Sequence, residues 1–482
     1  MIFISGSAPH PLGCDRNMTQ FPARSARLLA RLFAQLIAIC AVTAMAVQPV
    51  AAQSISVLRD AETEALLQDM MDPLAEAAGL GEGAVDVVLV NDNSINAFVA
   101  GGQRVFVHSG LLNAAEDAGE VQGVLAHELG HITGGHINRF SEGAGNATRI
   151  TLLSALLAAA AAFAGGGEAA MGVLGLGQQA AMGSFLAFSR TQEASADAAG
   201  AQYLSDAEIS GRGSLRFFER LQNYEFRRAI PQTQEREYGR THPLSGNRIA
   251  RLRTDYEADP AWDAPTDPDL QRRFERAKAK LYGYLAPPER VMTAFPEYMT
   301  GAPARYARAY AYHRDARMDA ALDEVDALLA MEPDNPYFLE LQGQVLLESG
   351  RVDEALPPLR RAVRLTNSTP LIATLLGHAL IATEDEAHLE EAESVLRSAI
   401  GRDRQNPFAW YQLGVVYGQR GDTPRARLAS AEQQILMGNP QGALVNAGAA
   451  EQGLERGTAD WIRAQDVQLQ ARAQLEQRAE RD

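Results

Sequence analysis

Apolar and polar positions along the chain divide it into segments of different period. From Val57 to Leu80, "VLRDAETEALLQDMMDPLAEAAGL" repeats apolar residues at helical spacing, and Gly81 supplies a stop. Val85–Val90 is a β-branched run, Gly101-Gly102 is turn chemistry, and "RVFVHS" alternates, which predicts a small sheet with a hairpin. Helical period returns through "LLNAAEDAGEVQGVLAHELGHITGGH", with Gly134-Gly135 placed to end the helix. Residues 151–188 are almost uncharged, yet Gly165–Gly167 interrupts them before an apolar span reaches full membrane length. They read as a pair of buried or Ala-rich packing helices, or as a hydrophobic lip facing membrane or substrate. "YEADPAWDAPTDPD" (Tyr256–Asp269) marks a boundary, and "QRRFERAKAKLYGYL" beyond it reads as a bridging helix.

The remainder repeats. Pro336, Pro370, Pro407 and Pro440 are spaced 34, 37 and 33 residues apart, and Gly343, Gly377 and Gly414 each fall seven residues after a proline. "WYQLGVVY" (Trp410–Tyr417) fits the tetratricopeptide pattern W-x2-L-G-x2-Y. Small residues at these positions let the two helices of a repeat approach. The spacing predicts about four tetratricopeptide repeats and a capping helix pair from near residue 303, a solenoid that offers surface to partners.

Composition changes this picture at one end. Arg24, Arg27 and Arg31 precede the apolar run Leu32–Val47, and "VQPVAAQS" offers a cleavage site after Ala52, so residues 1–52 read as a signal peptide, with Met18 an alternative start and an uncleaved anchor the alternative fate. Cys14 and Cys40 both lie in that segment, and Ile39 is too bulky for lipoprotein processing at Cys40. The mature chain then has no disulfide and depends on burial for stability. Losing four Arg and one Asp moves the net charge from −16 to −19, which argues against nucleic acid as a partner.

The candidate chemistry sits in "HELGH". His127 and His131 are four apart, so on a helix they lie about 40° apart on one face, where both imidazoles can reach one zinc ion. Glu128 is turned by about 100° and stands beside the metal, placed to take a proton from the attacking water and deliver it to the leaving amine. A metzincin needs a third histidine at position 137, which is Ile137, and His136 misses by one. A carboxylate is the other solution. In "FSRTQEASADAAG", Glu193 and Asp197 share a helix face: Glu193 can bind zinc, and Asp197 can orient a ligand histidine through its other nitrogen.

H-E-x-x-H followed by E-x-x-x-D, with hydrophobic sequence between, resembles the HtpX and CAAX-prenyl-protease superfamily of zinc peptidases. The repeats and "RTHPLSGNRI" resemble its exported, soluble, periplasmic branch, over essentially the whole mature chain. The resemblance implies zinc on His127, His131 and Glu193, Glu128 as general base, and Asp197 as a second catalytic or proton-donating carboxylate. It also implies His242 as a histidine that can cap the zinc and silence it; a surface histidine beside a turn proline is the plainer alternative. His136 matches a family position and is read here as structural, and His108 as without function.

The fold expected is mainly α: a zincin-like metalloprotease domain with a small β-sheet (53–255), a linker helix (256–302) and an α-solenoid of tetratricopeptide repeats (303–482). The function expected is a periplasmic endopeptidase with one Zn2+ per chain. Its substrates would be unfolded or misassembled envelope proteins, with outer-membrane assembly machinery engaged through the repeats and any membrane contact peripheral. "INAFVA" or "RVFVHS" would supply an edge strand for substrate. The alternative is a chaperone or assembly scaffold for outer-membrane proteins with little or no proteolysis.

Overall fold

The computed structural model describes residues 56–163, 167–227, 242 and 246–480, which belong to one compact unit. The signal-peptide reading of residues 1–52 and most of the loop around His242 lie outside the described residues.

The first helix, α1 (Ala61–Ala77), is capped by Asp60, whose side chain accepts from the Thr63 amide. It is shorter than the periodic run because Gly79, at φ +75°, turns the chain two residues past its end. Three strands follow, β1 (Asp86–Val90), β2 (Ala97–Val99) and β3 (Arg104–His108), in the order β1-β3-β2. The hairpin is β2–β3, antiparallel, with Gly101 and Gly102 at positive φ between them, and β1 pairs parallel to β3. "RVFVHS" is therefore the central strand, paired on both sides, and cannot be a free edge. Strand β2 is the edge, with Phe98 stacked on Phe106 at 5.0 Å.

After α2 (Ser109–Ala114), Asp117 caps α3 (Ala118–Thr133) through the Glu120 amide, and Gly134 and Gly135 end it. Leu66, Met70 and Leu74 of α1, Leu125 and Leu129 of α3, and Val105 and Val107 of β3 share one core. Each fully buried Leu or Val stabilises by about 1.5–3 kcal/mol. Two long helices come next, α4 (His136–Phe163) and α5 (Gly167–Asp206), packed along one another. The described residues of the uncharged segment are thus helical and mostly exposed. Helix α4 starts well before residue 151, so Ala144–Ala161 is long and apolar enough to cross a membrane by length and composition, with only 11% of that window buried. This corrects the expectation that such a span is lacking.

Helices α6 (Arg212–Arg227) and α7 (Gly246–Glu257) close the region over α3 and α5. The bridging helix is α8 (Pro268–Leu285), followed by α9 (Pro288–Ala294). Ten helices in five antiparallel-spaced pairs follow: α10 (Ala302–Arg314) and α11 (Met318–Met331), α12 (Pro336–Glu348) and α13 (Val352–Leu365), α14 (Pro370–Ala382) and α15 (Leu389–Arg402), α16 (Pro407–Gln419) and α17 (Thr423–Leu436), and α18 (Pro440–Gly453) and α19 (Ala459–Ala479). A Cβ on Gly343 would overlap Leu359, and one on Gly377 would overlap Leu396, which is why the repeat keeps glycine there. The proline spacing is the spacing of the first helices, each of which begins at its proline from α12 onward.

The repeats are not a detached module. Glu62 of α1, 3% exposed, accepts from Tyr306 of α10 at 2.9 Å and from Arg276 of α8 at 2.8 Å. Lys280 of α8, equally buried, pairs with Asp60 at 2.5 Å and lies over the Tyr306 ring.

Candidate metal centre

Helices α3 and α5 meet at unusually short range. A Cβ on Gly130 would stand 2.6 Å from the Ala196 carbonyl, so glycine is required there, and one on Gly200 would stand 3.0 Å from the Ala126 carbonyl, tighter than ordinary contact. That approach brings Glu193 against the two histidines, although it lies 62 positions after His131 in the chain.

One ligand atom from each of His127, His131, Glu193 and His242 lies within 4.8 Å of the other three. His127 Nε2 is 3.2 Å from His131 Nε2 and 3.5 Å from Glu193 Oε2, and His131 Nε2 is 3.4 Å from Glu193 Oε1. His242 Nδ1 is 3.1 Å from Glu193 Oε1 and 3.3 Å from His127 Nε2, while its Nε2 is 3.3 Å from Glu128 Oε1. Two imidazoles, a carboxylate and a further imidazole form a donor set suited to zinc. Glu128 is 2% exposed, and its Oε2 has no hydrogen-bond partner among the described residues. A buried carboxylate oxygen beside such a donor set is where a water or substrate proton fits.

The outer nitrogens of both H-E-x-x-H histidines also face polar groups, His127 through an ion-pair contact whose angle falls short of a hydrogen bond and His131 through a hydrogen bond. His127 Nδ1 lies 3.0 Å from Asp197 Oδ1, and His131 Nδ1 lies 2.8 Å from His136 Nδ1. Arg248, from α7, donates through Nε and Nη2 to the two Asp197 oxygens at 2.8 Å each, and its Nη1 is 2.8 Å from Glu193 Oε2. Sequence reasoning missed Arg248. It sits on an amphipathic helix whose Ile249 and Leu252 mark the buried face, but nothing in its spacing distinguishes it from a solvated arginine.

Electrostatics follow this wiring. Burial would lower the His127 pKa, but hydrogen bonds to Asp197 and Glu193 outweigh it and raise it to about 10. Burial would raise Asp197, yet the Arg248 and His127 hydrogen bonds hold it at about 2. Glu193 is likewise held well below its usual range despite burial, by the facing His242, His127 and His131. Burial and the neighbouring His131 push His136 down to about 4, consistent with a neutral acceptor ring. These carboxylates retain a positive charge at the centre: a proton in its absence, a cation when bound. His108 stands apart, at the end of β3 and hydrogen-bonded to Ser94 at 2.8 Å.

Residues 61–255 match Peptidase family M48, and residues 304–370 match a tetratricopeptide repeat. The chain is 25% identical to the beta-barrel assembly-enhancing protease of Escherichia coli (strain K12), over 81% of this chain and 79% of that one. It is 26% identical to the protein of the same name from Yersinia pestis, over 73% and 71%. It is 31% identical to the metalloprotease LoiP of Escherichia coli (strain K12), over 34% and 60%. Residues 61–255 are a peptidase family M48 domain, and the chain is a metalloendopeptidase that carries tetratricopeptide repeats.

Proposed function

We propose that the chain is a zinc-dependent endopeptidase, exported to the periplasm, that cleaves misfolded or stalled envelope proteins and takes part in outer-membrane protein assembly. The observation that carries the reading is the four-residue donor cluster with Glu128 Oε2, unpartnered among the described residues, beside it. His127, His131 and Glu193 would hold the ion through Nε2, Nε2 and a carboxylate oxygen. When bound, zinc supplies Lewis-acid polarisation of the scissile carbonyl and acidification of water.

The remaining work falls to the chain itself. Glu128 takes the proton of the attacking water and returns it to the leaving amine. Asp197 orients the His127 ring, and Arg248 keeps Asp197 ionised and pairs with Glu193. Asp197 is thus an orienting group: the Arg248 clamp on both of its oxygens leaves it poorly suited to deliver a proton. The edge of β2 offers backbone groups that can hold a substrate extended along α3. His242 would occupy the position that water needs, since one imidazole reaches both the ligand cluster and Glu128. The repeats supply recognition surface for envelope proteins or assembly machinery, as the names of the relatives suggest. Bound metal and cleavage of an unfolded outer-membrane protein, measured with and without Glu128→Gln, test the reading: cleavage undiminished by Glu128→Gln would overturn it.

A further inference from the structure

The repeats present two different surfaces. Their first helices face the peptidase domain: Tyr310 of α10, Glu340 of α12 and Leu371 of α14 line a cavity of about 380 Å³ together with Leu58 and Asp60, just before α1. A second groove, of about 430 Å³, opens among the second helices, where α15, α17 and α19 surround α16. Its bottom is apolar, with Ile400, Leu413, Tyr417 and Leu428 only 4–7% exposed. Ile462 of α19 extends the apolar lining outward and is 49% exposed.

Charge is uneven across this groove. On the side of α17 and α19, Arg425 is held by Asp460 at 2.8 Å and Arg463 by Glu432 at 2.8 Å, so both guanidinium groups are already paired. Asp466 lies on that side too. On the side of α15 the lining carries Arg397 and Arg404 and no acid. Arg397 reaches Glu393 and the Tyr417 hydroxyl at 3.5 Å each, the outer limit of such contacts. The Arg404 guanidinium has no ion pair or hydrogen bond among the described residues. Two arginines with donors to spare thus stand beside an apolar floor, in a chain whose net charge is −16. Between them lies Gly401, in the last turn of α15. A Cβ there would meet nothing within 4 Å, so packing does not demand glycine. Glycine weakens a helix relative to alanine; what it contributes here is open space between the two arginines.

We propose that this groove binds the carboxy-terminal end of an unfolded polypeptide whose last side chain is apolar, with the carboxylate on Arg404 and Arg397 and the side chain on the floor. An arginine fork matches a carboxylate with two parallel hydrogen bonds. In an extended segment neighbouring side chains point to opposite sides, so an internal acid turns away when the apolar residue beside it faces the floor. At the chain end, the carboxylate and the apolar side chain belong to one residue. The proposal rests on the reading of the clients as unfolded polypeptides and names the part of the client that the repeats hold.

The test is fluorescence anisotropy of a dye-labelled peptide ending in phenylalanine, added to the full chain carrying Glu128→Gln so that the probe survives. The free acid should bind at least about tenfold more tightly than the same peptide with a carboxy-terminal amide. Arg404→Gln should remove that preference, and Arg404→Lys should retain part of it. Gly401→Leu should block the free acid without lowering the thermal midpoint, since the added side chain enters open space. No binding, equal binding of acid and amide, or full binding by Gly401→Leu would overturn the proposal. A preference that persists in Arg404→Gln would overturn it too, by placing the carboxylate elsewhere. Cleavage of an unfolded protein by the chain with Glu128 intact tests the functional reading separately: its failure would leave peptide binding in the groove unchanged.

Discussion

His136 Nδ1 lies 2.8 Å from His131 Nδ1, on the side of the His131 ring away from Nε2, which faces His127 and Glu193. Binding a cation through Nε2 places the His131 proton on Nδ1, so His131 donates and His136 accepts. His127 uses a carboxylate, Asp197, for the same purpose. His136→Ala should therefore weaken metal binding by about 10–100-fold, and His136→Asp should restore most of it. A competing chelator titration measures both, and unchanged affinity in His136→Ala would reduce His136 to packing.

The donor set predicts a separation of metal binding from chemistry. Glu193→Ala or His127→Ala should release the ion, whereas Glu128→Gln should keep it and reduce turnover by at least about 10²-fold, because only the base is removed. Metal analysis alongside peptide cleavage distinguishes the two classes. Full metal retention in Glu193→Ala would mean the third ligand lies elsewhere.

His242→Ala should raise peptide cleavage or self-cleavage with metal content unchanged, since the imidazole that reaches both Glu193 and Glu128 would be gone. A fall in turnover with normal metal would instead make His242 a donor to the transition state. The direction of the rate change decides between them.

Lys280 is the cation between Asp60 and Glu62, and all three sit where α1 meets the repeats. Lys280→Ala should destabilise the chain by about 3–5 kcal/mol, because two carboxylates lose a buried partner. Denaturant midpoints measure this. For the same reason, deleting residues 303–482 removes Tyr306 from Glu62 and is a poor way to isolate the peptidase.

The nearby Glu340 predicts a pH dependence. It lines a cavity of about 380 Å³ beside Asp60 and Lys280, and burial with the neighbouring Asp60 and Glu62 raises its pKa to about 8. The folded chain then holds a proton that the unfolded chain releases near its ordinary value. The contribution is fully present below about pH 4.5 and fades as the pH rises through about 8. Thermal midpoints across that window should fall less in Glu340→Gln than in the wild type.

Periodicity alone determined several of these features. A 3.6-residue repeat puts His127 and His131 on one face whatever the rest of the chain does, and the proline and glycine spacing of the repeats is the spacing of their helices, because each pair is a local unit. Glu193 and Asp197 were legible as a facing pair for the same reason. Tertiary packing decided the rest. Arg248 reaches Asp197 and Glu193 only because α7 packs against α5, and His136 reaches His131 only because the chain turns sharply at Gly135 between two helices. Which strand is central depends on β1 pairing with β3 across an intervening hairpin, a non-local choice that alternation cannot express. Composition likewise marked residues 151–188 as apolar but could not say whether protein covers them, since burial is a property of neighbours and not of the helix itself.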